Sequence, residues 1–310
     1  MMLVAAGRTL ARSLLLLIAA SMVVFLIVVA LPGDAADYRT QGRASDQDLE
    51  ALRQQKGLDR ALPVQYGRWV ADVVRRDLGT SLVSNRSVVT LITERLGVSI
   101  ALAGMSMGVA VPAMLALAWL AADGPTWSRG IASTVVVGGA AVPIVAVGVL
   151  LASAAAWVSN GEVGSVVVMA ARVPVWQQLD RLVLPAVVLG LPSACYGAGI
   201  LVGPWADAGA HPSVLDARVR GLNPWLVARR YVLPRIAPVV LRTTAVLAGG
   251  VLGGAAIVET MFGISGLGSL LVAAVGSRDQ PVVLAVAMLS ATVAIVGFTL
   301  ADIAANAWHR

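Results

Sequence analysis

Residues 96–122 read LGVSIALAGMSMGVAVPAMLALAWLAA, a run with no charged side chain between Arg95 and Asp123. An α-helix rises 1.5 Å per residue and needs about 20 apolar residues to cross the hydrocarbon core of a bilayer, so this run is long enough to span. Similar stretches lie on both sides of it. Ser13–Leu31 precedes it, after Arg8 and Arg12; Gly130 to about Trp157, Leu182–Ala206, a stretch starting at Thr243, and Gln280–Ala301 follow. The composition agrees, since 58% of the 310 residues are hydrophobic and 13% are charged, against roughly a quarter charged in a soluble domain. Mean hydropathy is +0.83. The chain reads as an all-α polytopic membrane protein with six transmembrane helices, in three parts: 1–31 with the first helix, a polar segment over 32–95, and a core of five helices over 96–310.

Two stretches need more than a length count. Ser13–Leu31 resembles a signal peptide with a small-residue site near Ala35 and Ala36, but its apolar core exceeds the usual 7 to 15 residues or so, which favours a retained helix. Between Thr243 and Ser277 Glu259 alone interrupts, too long for one span and too short for two; one helix plus a partly inserted, glycine-rich fold-back fits.

Short loops and helix flanks set orientation through Lys and Arg. Arg8, Arg12, Arg129, Arg218, Arg220, Arg229, Arg230, Arg235 and Arg242 all fall on one side if both termini are cytoplasmic. The net charge of +6 is then a matter of topology. Nucleic acid is not indicated, because the bases are scattered and aromatic residues make up only 5% of the chain. The segment 32–95 faces outward, its acidic and basic residues nearly balanced. Within it, Ser45 and Asp48 can cap a helix carrying Leu49 and Leu52 that Gly57 stops, and Pro63 suits the first turn of another carrying Tyr66, Trp69, Val70, Val73 and Val74. Val88, Ile92 and Leu96 keep helical spacing into the second span. These read as amphipathic helices lying on the lipid surface. Val163–Ala171 is apolar but too short to span, so it is expected to be interfacial or re-entrant.

Chemistry is sparse. A lone cysteine, Cys195, cannot form an internal disulfide and reads as a buried hydrophobe; two histidines, His211 and His309, cannot build a His-based metal site. No phosphate-cradling P-loop occurs, and Lys56 lies in the outer segment. No residue pattern supplies an activated nucleophile, and Glu259 has no acidic companion within a span. No catalytic, cofactor or metal site is therefore expected in this chain. Glu259 itself is open to two readings: an ionisable residue lining a path, or one that pairs with Arg278 or caps the segment starting near Gly266. Gly249, Gly250, Gly253 and Gly254 allow close, mobile or static, helix approach.

Residues 207–242 read DAGAHPSVLDARVRGLNPWLVARRYVLPRIAPVVLR. Ser213 can cap a short helix, Gly221 ends or kinks it, and Pro224 can start another, which makes a basic loop of two short helices with a glycine joint. This loop resembles the EAA motif of membrane subunits of ATP-binding-cassette importers. Leu215, Asp216 and Ala217 occupy the triplet, Gly221 follows after three residues, and Tyr231, Val232, Leu233 and Pro234 follow after nine more. ARVRGLN is similar to the ARAKGL stretch of the dipeptide, oligopeptide and nickel branch. LPGD at Leu31–Asp34, Gln65, Tyr66 and Trp69, DLGTS at Asp77–Ser81, Leu184, Pro185, Ala186 and Leu189, and LGGAAIVETMFGISGLG at Leu252–Gly268 followed by Arg278, Asp279 and Pro281 resemble further marks of that branch in order. Leu215 in place of the triplet's acid, Tyr231 in place of its Ile, and VGPWADAG at the end of the fourth helix depart from the pattern.

The resemblance implies the type I importer permease fold in a bacterial inner membrane. It implies a second homologous permease subunit, two ATPase subunits that bind ATP and Mg, and an extracytoplasmic substrate-binding protein. It assigns Leu215, Asp216, Ala217, Arg218, Arg220, Gly221 and Leu222 to coupling with the ATPase. Glu259, Phe262, Gly263, Gly266, Arg278 and Asp279 fall to the translocation path or its scoop, and peptides or similar small solutes to the cargo. A stand-alone secondary transporter or channel would instead call for inverted repeats or several charges within spans, and an intramembrane enzyme for a nucleophile and base.

Overall fold

The computed structural model describes residues 2–30, 61–158 and 179–308. The LPGD stretch, the helix expected over 45–57, Val163–Ala171 and His309 lie outside the described residues. The described elements are α1 (Met2–Ala30), α2 (Leu62–Val74), α3 (Val88–Asp123), α4 (Thr126–Ala141), α5 (Ile144–Val158), α6 (Leu179–Gly209), α7 (Pro212–Val219), α8 (Pro224–Val227), α9 (Leu233–Met261), α10 (Leu267–Gly276) and α11 (Gln280–Trp308), with a π-turn at Ala228–Val232 leading into α9. Helices α1, α3, α6, α9 and α11 contain stretches long and apolar enough to cross a membrane, and the bent pair α4–α5 makes a sixth if it counts as one span.

The helices outrun the charge-free stretches. α1 starts before Arg8, α3 starts at Val88 and α11 continues past Ala301. α9 starts at Leu233, ten residues before Thr243, so Arg235 and Arg242 stand on helix and not in a loop. Charge marks where lipid ends, not where backbone hydrogen bonding ends. The stretch 130–157 is corrected more deeply: it is two helices meeting at 109°. Val142 is extended at the break (φ −75°, ψ 127°). Pro143 next to it lacks an N–H and disfavours helical geometry in the residue before it, which breaks the helix there.

α3 and α6 form the central pair. Gly190 leaves no room for a side chain against the Ser106 carbonyl, 2.8 Å from where a Cβ would sit, and Gly197 likewise abuts Met114 Sδ at 2.6 Å. Small residues let membrane helices approach closely, and packing then replaces the hydrophobic drive that lipid cannot supply. α9 joins through Gly254 against Leu189, and Cys195 of α6 is buried against Gly139 of α4. α11 lies on α9, and α1 lies on α11 with Ser13 and Thr299 hydroxyls 2.6 Å apart. α2 caps α1: Tyr66 and Ser21 hydroxyls are 2.7 Å apart, and the Phe25 and Tyr66 rings meet edge-on at 5.4 Å. The bundle thus has one end carrying α2 and α10 and another carrying α7 and α8.

Candidate functional site

At the second end, α7 starts at Pro212, whose fixed φ suits a first helical turn. Its cap is His211 and not Ser213: the Ser213 N–H donates to His211 Nδ1 at 3.3 Å. With proline in the first turn, Ser213 falls inside the helix, and its Oγ accepts from Arg235 Nη2 at 3.0 Å. Gly221 ends the helix with φ +73°, the Gly221 N–H donating to the Arg218 carbonyl at 2.9 Å and Leu222 N–H to that of Ala217 at 3.2 Å. This left-handed closure is the one glycine tolerates best. Asn223 then caps α8 through a 2.8 Å bond from Trp225 N–H.

These turns sort the seven residues assigned to coupling. Ala217 is buried beside Val214 and Val227 in a core shared with Met114, Trp205 and Leu247, and Leu222 packs against it. Leu215 faces out, and Asp216 and Arg220 pair on the surface at 2.9 Å. Arg218 turns back into its own chain: its Nη2 donates to both carboxylate oxygens of Asp123, at 2.8 and 2.7 Å, at the end of α3. The exposed face also includes Val219, 87% exposed, Trp225, 62% exposed, and Leu226. Trp225 is propped edge-on against Trp119 at 6.3 Å. Val219, Trp225 and Leu226 were legible as apolar residues in a polar loop, but which way they point depends on the Gly221 joint.

At the other end, α9 closes on Gly263 (φ +64°), with Ile264 N–H donating to the Glu259 carbonyl at 2.8 Å, so Phe262 and Ile264 fold under the turn and are buried. Glu259 is fully buried. Ser99 Oγ donates to its Oε1 at 2.7 Å and Ser269 N–H to its Oε2 at 2.8 Å. Leu267 N–H donates in turn to Ser99 Oγ at 2.7 Å. Of the two structural alternatives for Glu259, capping is what the geometry contains: the carboxyl takes a backbone donor from the first turn of α10, whose first N–H groups have no partner within the helix. Among the described residues no ion pair joins Glu259 to Arg278, which stands beyond α10 with φ +57°. Gly266 leaves no space for a Cβ against the Glu259 carboxyl, and Gly268 none against the Ala256 backbone. Ser99 and Ser269 are the partners that sequence reasoning missed; Ser99 lies 160 residues from Glu259, and the spacing carries no sign of the pairing.

Asp279 serves a separate clamp. It is buried, accepts from Ser81 Oγ at 2.5 Å and from Leu82 N–H at 3.0 Å, and so ties the segment between α2 and α3 to the start of α11. The DLGTS stretch is a turn in which Asp77 accepts from Gly79 N–H at 2.8 Å. Beside it a cleft of about 370 Å³ opens between Phe25, Trp69, Leu82 and Pro281. The four glycines of α9 split: Gly254 packs on Leu189, Gly249 faces Phe298, and Gly250 and Gly253 face open space.

A membrane bundle with a buried clasp at one end and a partly apolar, two-helix surface at the other has relatives. The probable peptide ABC transporter permease protein y4tP of Sinorhizobium fredii is 26% identical over 299 residues, 96% of this chain and 95% of that protein. The glutathione transport system permease protein GsiC of Escherichia coli is 32% identical over 271 residues, 87% of this chain and 85% of that one. The family described as the N-terminal membrane component of binding-protein-dependent transport systems matches residues 1–103. Residues 114–310, which include the α7–α8 surface, α9, α10 and α11, match the binding-protein-dependent transport system inner membrane component. The chain belongs to this family of inner-membrane transport components.

Proposed function

We propose that this chain is one of two permease subunits of an ATP-driven importer for peptides or a similar small solute, with both termini and the α7–α8 surface in the cytoplasm. The observation that carries the reading is that surface. Leu215, Val219, Trp225 and Leu226 are exposed on short helices whose opposite face is locked into the bundle. Exposed apolar side chains projecting from a rigid base mark a protein contact. In this position they meet an ATPase subunit, which binds ATP and Mg; this chain supplies no catalytic group. ATP closing two ATPase subunits reorients the permease because the contact differs between the two states. The α10 end, with the clamp at Asp279, faces the substrate-binding protein and contributes Glu259, Phe262, Gly263 and Gly266 as the frame of the path's outer edge.

The peptide class is supported by the relatives named for peptide and glutathione transport. Affinity purification of the tagged chain tests the assembly: two ATPase subunits and a second permease subunit are expected with it. A lone chain that moves solute across liposomes without ATP would refute the reading. The cargo is read by thermal shift of the binding protein against di- and oligopeptides, where a ligand stabilises by RT ln(1 + [L]/Kd).

A further inference from the structure

We infer that α3 is a rod that carries motion of the α7–α8 surface to the α10 end, and that the Asp123–Arg218 bond is its attachment; this rests on the importer reading above. The bond spans 95 residues of sequence. Asp123 stands at the C-terminal end of α3, where the helix carbonyls already present negative charge, so a carboxylate there is unfavourable unless a cation meets it. Arg218 does so with Asp123 only 17% exposed, which limits screening. The guanidinium passes over Gly209 at the end of α6, with Nη2 3.3 Å from where a Cβ there would sit, so the missing side chain keeps its way to Asp123 open. Arg129 bonds the next carbonyl, that of Gly124, at 2.7 Å and leaves Asp123 to Arg218.

The other end of the same helix holds Ser99, which donates to Glu259 and accepts from Leu267 N–H. From Ser99 to Asp123 the helix is continuous, about 36 Å at 1.5 Å per residue. Pro112 removes one backbone bond on the way. Contacts with Gly190 before it, through Ser106 and Val109, and with Gly197 after it, through Met114, hold the helix to α6 on both sides. A displacement of α7 by its partner therefore reaches the clasp of α9 and α10 through one packed element. Arg218 acts as a positioning residue, toward its own chain and not toward the ATPase.

The test uses the complete transporter with its ATPases and binding protein in liposomes. In a Cys195→Ala background, Thr260→Cys reports on the exposed side of the last turn of α9 through its labelling rate by a membrane-impermeant maleimide, with and without ATP and vanadate. The background protein should show a nucleotide-driven change in rate. Asp123→Asn and Arg218→Gln should each cut that change by about tenfold, within the usual range of coupling between sites, while the ATPases still co-purify and hydrolyse ATP. Arg218→Lys should keep the response, and the exchanged pair Asp123→Arg with Arg218→Asp should restore it. Unchanged responses in both single variants would overturn the rod and leave the importer reading standing. Loss of ATPase association in Arg218→Gln would also overturn it, by placing Arg218 in the partner contact. A background protein that binds no ATPase would overturn both readings.

Discussion

Replacing Gly268 by alanine is expected to unseat α10, with Gly253→Ala as the control. At Gly268 a Cβ would overlap the Ala256 Cα and lie 2.7 Å from its N and 2.9 Å from its Cβ, whereas ordinary contacts fall at 3.4–4 Å. The obstacle is backbone, so relief requires α10 to retreat from α9 by roughly an ångström. That retreat carries Ser269 N–H, now 2.8 Å from Glu259 Oε2, beyond hydrogen-bond reach and weakens Leu267 N–H on Ser99. Overpacking costs about 1–3 kcal/mol, and a lost bond to a carboxyl that stays buried adds about 1–3 kcal/mol. Partial relaxation makes the two less than additive, so the loss should be about 2–4 kcal/mol. At Gly253 nothing lies within 4 Å of the same added carbon, and alanine in a helix interior should be neutral or favourable by up to about 1 kcal/mol. Thermal unfolding of the purified protein in detergent measures both. Equal melting temperatures for the two variants would refute the argument, because it depends on the backbone of Ala256 being immovable.

Other perturbations test neighbouring contacts. Glu259→Gln places an amide N–H₂ among donors and should lower thermal stability by about 1–3 kcal/mol, along with the yield of assembled complex; altered uptake from a fully stable variant would instead assign Glu259 to the path. Ser99→Ala orphans Leu267 N–H and should cost about 1 kcal/mol, near the modest values found for hydrogen bonds between membrane helices, measured by the same unfolding. Gly221→Asp forces a non-glycine residue to φ +73° at a cost of about 1 kcal/mol and displaces the Trp225 side of the joint; ATP hydrolysis should continue while uptake into vesicles falls. Asp279→Ala frees Ser81 and Leu82, and limited trypsin digestion should then cut after Arg86 faster than in the unaltered protein.

Much of the architecture was legible because its causes are local. Long uncharged runs require a span wherever they sit, and Gly221 and Gly263 sit where the chain turns with positive φ. The helix carrying Tyr66 and Trp69 was readable from spacing and from Pro63. The break at Val142–Pro143 was also written locally, but a count of uncharged residues passes over a proline. The helix approaching the second span was likewise readable from Val88, Ile92 and Leu96, whereas the start at Leu233 was misplaced because arginines and polar residues sit comfortably on helix beyond the lipid.

The family, the class of fold and the two-helix loop with its glycine joint were determined by sequence alone, since periodicity, turn chemistry and motif order are properties of neighbouring residues. Tertiary structure alone decided what the polar side chains do. Glu259 could have lined a path, met Arg278 or capped the segment starting near Gly266, and only the meeting of α3, α9 and α10 selects the cap and gives it Ser99 and Ser269. Arg218 reads as a docking residue from its motif, and only the placement of α7 under the end of α3 turns it to Asp123. Hydrogen bonds and ion pairs act over a few ångströms, and which residues come that close is set by packing across the bundle.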